Sequence, residues 1–149
     1  MFMKSLFPRK YELHPVGSGR NPERVGHPVT IIPGVLCSRN IDYLDGDLNN
    51  IQYDVTYHGM GLYFIFNFVK VGNIWEIDIV SLPDFQGRAT ASAINHWLPS
   101  DRGGRKICVS PGHEPRTERK AKDLAMAWAD LQARYIITGV TPDQQINSR

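Results

Sequence analysis

The sequence predicts an α+β fold, and three observations carry that prediction. Residues 51–82 hold three runs of alternating apolar and polar residues separated by glycine-bearing turns. Residues 115–136 place apolar side chains at helical spacing. The apolar members of both patterns include aromatic residues, so one layer can cover the other. The chain has 149 residues, 42% hydrophobic and 21% charged, enough to bury a core without disulfides or a structural metal.

The elements follow in order. Residues 1–27 mix Pro8, Pro15, Gly17, Gly19, Pro22 and Gly26 with scattered charge and show no period, so they read as a flexible N-terminal arm. A single α+β domain is expected over 28–139, and residues 140–149 read as a frayed C-terminal tail. The β-branched stretch within HPVTIIPGVLC predicts a strand near 30–36, interrupted at Pro33-Gly34. The acidic, turn-rich residues 40–50 read as a loop.

The centre predicts an antiparallel meander of strands near 51–58, 61–71 and 74–82. Gly59-Met60 and Gly72-Asn73 are the expected two-residue turns, because glycine supplies the positive φ such turns need. These turns set Ile51, Tyr53, Val55 and Tyr57 opposite Phe68, Phe66, Phe64 and Leu62. They also set Ile77 and Ile79 opposite Phe68 and Phe66, with Trp75 at the end. Both turns choose the same buried face, which a one-residue slip would destroy. On the other face the register aligns Gln52, Asn67 and Asp78 as a polar row, a candidate partner-facing surface.

A helix is expected near 88–97, ended by Pro99, and the basic loop DRGGRK leads into a strand near 106–109 that extends the meander. The last helix, near 115–136, places Ala121, Leu124, Ala125, Trp128, Leu131 and Tyr135 on one side, facing the aromatic face of the meander. Arg116, Arg119, Lys120, Asp123, Asp130 and Arg134 fall on the other. Gly139 is its expected stop.

Charge narrows the partner classes. Residues 1–39 carry six basic and two acidic residues, 40–101 carry two and eight, and 102–149 carry nine and five. Arg102, Arg105, Lys106, Arg116, Arg119 and Lys120 are therefore the anion-binding candidates. Cations at a helix start oppose its dipole by a few tenths of a kcal/mol each, a penalty that a bound phosphate or carboxylate reverses. A solvated basic face also explains them and is the leading reading. No nucleic-acid motif is present and the pI is near 8.6, so nucleic acid or another phosphate-bearing partner is a secondary reading.

Cys37 and Cys108 form no disulfide or zinc pattern, as expected of a reducing, cytoplasmic setting. No apolar run is long enough for a membrane span, and the N-terminus does not read as a secretory signal. No metal is expected, because Cys37, His96, Cys108 and His113 lack paired ligand spacing. Cys108 and Arg116 do not make a phosphatase loop, because Glu114 stands where its arginine would be. Asp54, His58, Glu76 and Asp78 project from one sheet face, but the middle strand separates Asp54 from Asp78.

The stretch NIWEIDIVSLPDFQGRATASAINHWL resembles the central strand, turn and helix of the GNAT acetyltransferase superfamily. The resemblance covers residues 51–136 in element order and implies an acetyl-CoA cofactor. Gln86, Gly87, Arg88, Ala89 and Ala91 would then hold the pyrophosphate, with Tyr135 as a late-helix acid. The chain departs from the family at Ala89, where a glycine is usual, and in the helices that should precede residue 51. The leading expectation is a small non-catalytic binding or regulatory protein whose partner is another protein and which needs no cofactor. A divergent acetyl-CoA-dependent N-acyltransferase is the alternative, and sequence-independent nucleic-acid contact is the second.

Overall fold

The computed structural model describes residues 48–148, together with the backbone of three short strands before them. In chain order these are β1 (His14–Pro15), β2 (Val29–Ile32), β3 (Val35–Cys37), β4 (Ile51–Tyr57), β5 (Met60–Val71), β6 (Ile74–Ser81), α1 (Ser92–Asn95), β7 (Trp97–Pro99), β8 (Arg105–Ile107), α2 (Glu118–Thr138) and α3 (Pro142–Asn147). The fold is α+β. The strands make one sheet in the order β2-β3-β4-β5-β6-β8-β7, with every pairing antiparallel. β1 pairs with Ile51 and Gln52, while β3 pairs with residues 55–57, so two segments share β4.

The meander forms, with its first turn placed differently from the sequence reading. The turn residues are His58 and Gly59, with φ of 49° and 79°, and Tyr57 pairs with Met60. Two successive positive φ values match the twist of the flanking strands, as type I′ turns do. The register moves by two residues, so Ile51, Tyr53 and Val55 oppose Phe66, Phe64 and Leu62. An even shift preserves the face, and the predicted aromatic side is the buried one. The second turn is at Gly72-Asn73 as expected, with Ile77 opposite Phe68 and Ile79 opposite Phe66.

Residues 30–36 belong to two strands instead of one: β2 and β3 pair with each other antiparallel. The helix expected near 88–97 is only the single turn α1. His96 takes the left-handed conformation, and Trp97 runs into β7 opposite Ile107. The first turn of α1 has no acidic residue and Ala91 gives no side-chain cap, so little holds a longer helix. Sheet pairing and burial of Trp97 against Phe85 and Trp128 win instead.

α2 starts at Glu118, capped by Thr117, whose hydroxyl accepts from the Lys120 N–H at 3.1 Å. Pro115 lies before the helix, and its carbonyl accepts from the Trp75 N–H at 2.8 Å. The Trp128 ring sits edge-on to Phe64 and Phe66, with centroids 6.2 and 6.1 Å away. α2 is buried nearly all round from Ala121 to Ala133, because the sheet covers one side and the 85–97 segment and α3 cover others. Asp130, expected on the outer side, is buried and accepts from the Tyr53 hydroxyl at 2.9 Å.

The end of the chain is a helix where the sequence suggests fraying. Thr141 and Gln144 form a reciprocal capping box for α3, and Pro142 occupies its first turn. Gln145 is buried and donates to the carbonyls of Leu131 and Val140 at 2.9 and 2.8 Å. The expected N-terminal arm over 1–27 lies outside the described residues apart from the backbone of β1.

Candidate functional site

Because α2 packs on the aromatic face, the opposite face of β5, β6, β8 and β7 is free of described helices. A row crosses it: Asn67 pairs with Asp78, Asp78 with Lys106, and Lys106 with Leu98. Gln52, expected in this row, is not in it. The two-residue shift of the first hairpin sets it opposite Ile65, and its amide donates to Asp54 Oδ1 at 2.7 Å. Asn67 Oδ1 instead accepts from the Asn50 N–H at 2.7 Å.

The charges in this row neutralise one another. Arg102 Nε and Nη2 lie 2.6 and 2.8 Å from Asp78 Oδ2 and Oδ1, a bidentate grip, and Ser100 donates to Oδ1 at 2.8 Å. Arg102 Nη2 also reaches Glu76 Oε1 at 2.8 Å, while Lys106 Nζ lies 2.9 Å from Oε2. The Lys106 hydrogen bond leads in holding Glu76 below the ordinary carboxylate range, with burial opposing it and Arg102 adding to it. Burial works against the Asp78 charge, but hydrogen bonds from Arg102 and Ser100 outweigh it and lower its pKa too. The 100–104 loop is thereby tied to β6.

Beside this network, at the edge of β6, is a half-open depression of about 200 Å³. Its walls come from Ile74, Trp75, Leu98, Ile107 and Val109, and Glu76, Lys106 and Glu114 also line it. The Trp75–Pro115 backbone bond holds the 108–115 segment against β6. Both Glu114 oxygens accept from the Gly112 N–H at 3.1 Å. Backbone hydrogen bonds from its own N–H and that of Gly112 keep its carboxyl below the usual range.

The six anion-binding candidates differ in what holds them. Arg102 and Lys106 are held by Asp78 and Glu76. The Arg105 guanidinium stacks 4.2 Å from the Trp97 ring centroid. Arg116, Arg119 and Lys120 are exposed around the start of α2 and make no ion pair among the described residues.

The 86–91 loop is tied to the far end of α2. The Gln86 N–H donates to Asp84 Oδ1 at 3.1 Å, and the Arg88 N–H donates to the Phe85 carbonyl at 3.0 Å. Arg88 Nε and Nη2 donate to the carbonyls of Ile136 and Ile137 at 3.2 and 3.4 Å. The Ala89 carbonyl accepts from the Tyr135 hydroxyl at 2.8 Å and the Asn95 amide at 3.2 Å, and the Ala91 carbonyl accepts from that same amide at 3.0 Å. Gln86 and Gly87 have φ of 54° and 83°.

Asp54, His58, Glu76 and Asp78 are not one cluster. His58 is a turn residue, Asp54 bonds Gln52, and the other two belong to Arg102. Cys108 is a free, buried thiol whose pKa burial raises. No group of three or more metal-ligating side chains gathers among the described residues, and no described helix is long and apolar enough to cross a membrane.

The sequence reading missed the depression. Trp75, Leu98, Val109 and Glu114 come from three segments, and the Trp75–Pro115 hydrogen bond, 40 positions apart, holds the last of them to β6. Compared with known proteins, the chain matches no family model, no curated protein and no solved structure.

Proposed function

We propose that this chain is a small non-catalytic binding protein that works through contact with another protein at the helix-free face of its sheet. The observation that carries the reading is the depression beside a self-neutralised charge network. At about 200 Å³ it falls below the roughly 300–1,000 Å³ of small-molecule sites, yet it has apolar walls suited to one anchoring side chain. Exposed Tyr63, Val80 and Leu98 add apolar surface on that side, at 52%, 46% and 39% exposure. Arg102 and Lys106 are already committed to carboxylates, which favours a protein partner over a polyanion.

Two further features support contact over acyl transfer. β6 continues into β8 through Asp78–Lys106 and Ile79–Arg105. In the 86–91 loop, two backbone amides, the Arg88 guanidinium and the Ala89 carbonyl serve internal bonds.

A photo-crosslinking amino acid at position 98 tests the reading in the native cell, with the same residue at position 120 as control. A discrete protein adduct from position 98 and none from position 120 is the expected result. Adducts from position 120 alone would move the working surface to the basic start of α2.

A further inference from the structure

The proposed contact can be given a chemistry, and this inference rests on the reading above. The depression is not electrically neutral once its internal pairs are removed. Glu76 has one oxygen on Arg102 and the other on Lys106, and Arg102 also serves Asp78, so these four groups cancel. Glu114 is left. Among the described residues no cation lies within ion-pair distance of it, and its carboxyl is held by backbone donors, the N–H of Gly112 and its own. A carboxylate offers about four acceptor positions, so part of its capacity is unspent.

Arg116 and His113 act on Glu114 through space but do not touch it. Arg116 is exposed, where water and salt screen its charge. Apart from Glu76 and Lys106, which pair with each other, the rest of the lining is apolar, from Ile74, Trp75, Leu98 and Val109. An aliphatic stem ending in a cation satisfies both parts: the stem lies along the walls, and the head completes the Glu114 carboxylate. A purely aliphatic side chain would leave that carboxylate without a cation, and an acidic one would be repelled.

We infer that the depression at the β6 edge is a receptor for a lysine side chain presented by the protein partner, with Glu114 as the counter-charge and Trp75 and Leu98 as walls. Lysine suits the site because its long apolar stem buries readily while its compact ammonium seeks a single carboxylate.

The test needs no partner. The full chain is titrated with Nα-acetyl-lysine N-methylamide, its norleucine counterpart and its Nε-acetylated form, and the Trp75 indole and Glu114 backbone resonances are followed by NMR. The expected result is saturable shifts with the lysine compound alone, weakened about tenfold or more in Glu114→Gln, as loss of a charge-assisted bond implies. Because Glu114 sits in a surface segment, Glu114→Gln should fold, and Leu98→Asp is the second variant, expected to bind no tighter than a tenth as well. Equal shifts from lysine and norleucine, or lysine binding unchanged in Glu114→Gln, would overturn the lysine assignment while leaving the protein-contact reading to its own crosslinking test. No shift with any of the three compounds would overturn it as well.

Discussion

Arg102 grips Asp78 with two nitrogens, Nε at 2.6 Å from Oδ2 and Nη2 at 2.8 Å from Oδ1, and so fastens the 100–104 loop to the middle of the sheet. The pair is one strand over from Asn67 and two from the exposed Leu98, so it sets the floor of the proposed binding face. Its charges are spent internally, and what remains for a partner is the apolar depression and Glu114.

That network gives a pH prediction with a definite sign. Glu76 and Asp78 both have lowered pKa values in the folded chain. Their contribution is therefore present above the ordinary carboxylate range, near pH 4, and is lost as pH falls through the lowered values. Arg102→Ala should cost about 1 kcal/mol at pH 7, a modest figure because the side chains are partly solvent-exposed. It should also flatten the loss of stability below pH 4. Urea unfolding at pH 7 and at pH 3 measures both, and an unchanged acid slope in the variant would contradict the assignment.

His58 carries a positive φ of 49° immediately before Gly59, a turn position that asparagine tolerates better. His58→Asn should raise stability by about 0.5 kcal/mol, or roughly 2 °C in Tm. A lower Tm would mean that the edge contact of His58 with the Tyr57 ring, with centroids 4.4 Å apart, outweighs the backbone gain.

Gly139 ends α2 with a φ of 78°, and a Cβ there would come 2.9 Å from Arg88 Nη1. Gly139→Ala should therefore cost about 1–2 kcal/mol from the left-handed conformation alone. It should also displace Arg88 from the carbonyls it serves. Calorimetry reads the first effect, and faster amide exchange in the 86–91 loop reads the second.

His96 has a side chain wholly out of solvent, and its Nε2 lies 2.7 Å from Asp143 Oδ1 in α3. Asp143→Ala removes that partner and should speed amide exchange across Pro142–Asn147 about tenfold, leaving α2 protected. Unchanged exchange would show that Gln145 and the capping box hold α3 unaided.

Local signals made much of the sheet legible. Alternation of Phe64, Phe66 and Phe68 against Ile77 and Ile79 fixed the buried face, because two-residue periodicity survives an error of two in register. The same tolerance concealed the true turn: glycine at 59 fits either placement, and only the backbone shows His58 adopting positive φ. Gln52 left the polar row for that reason alone. Trp97 could not be read as a strand residue, because its partner Ile107 and its ring neighbours Phe85 and Trp128 are distant in sequence. The depression was invisible for the same cause. The capping pair Thr141 and Gln144, with Pro142 between them, was a readable start signal for α3 in a segment too short to show periodicity.

The claim that this chain works by contact and not by acyl transfer is tested most directly by a calorimetric titration of the purified protein with acetyl-CoA and CoA at low salt. The account predicts no saturable heat and no thermal stabilisation at millimolar ligand. One-to-one binding that disappears in Ala89→Glu would contradict it, and would make Gln86, Gly87, Arg88, Ala89 and Ala91 a cofactor loop.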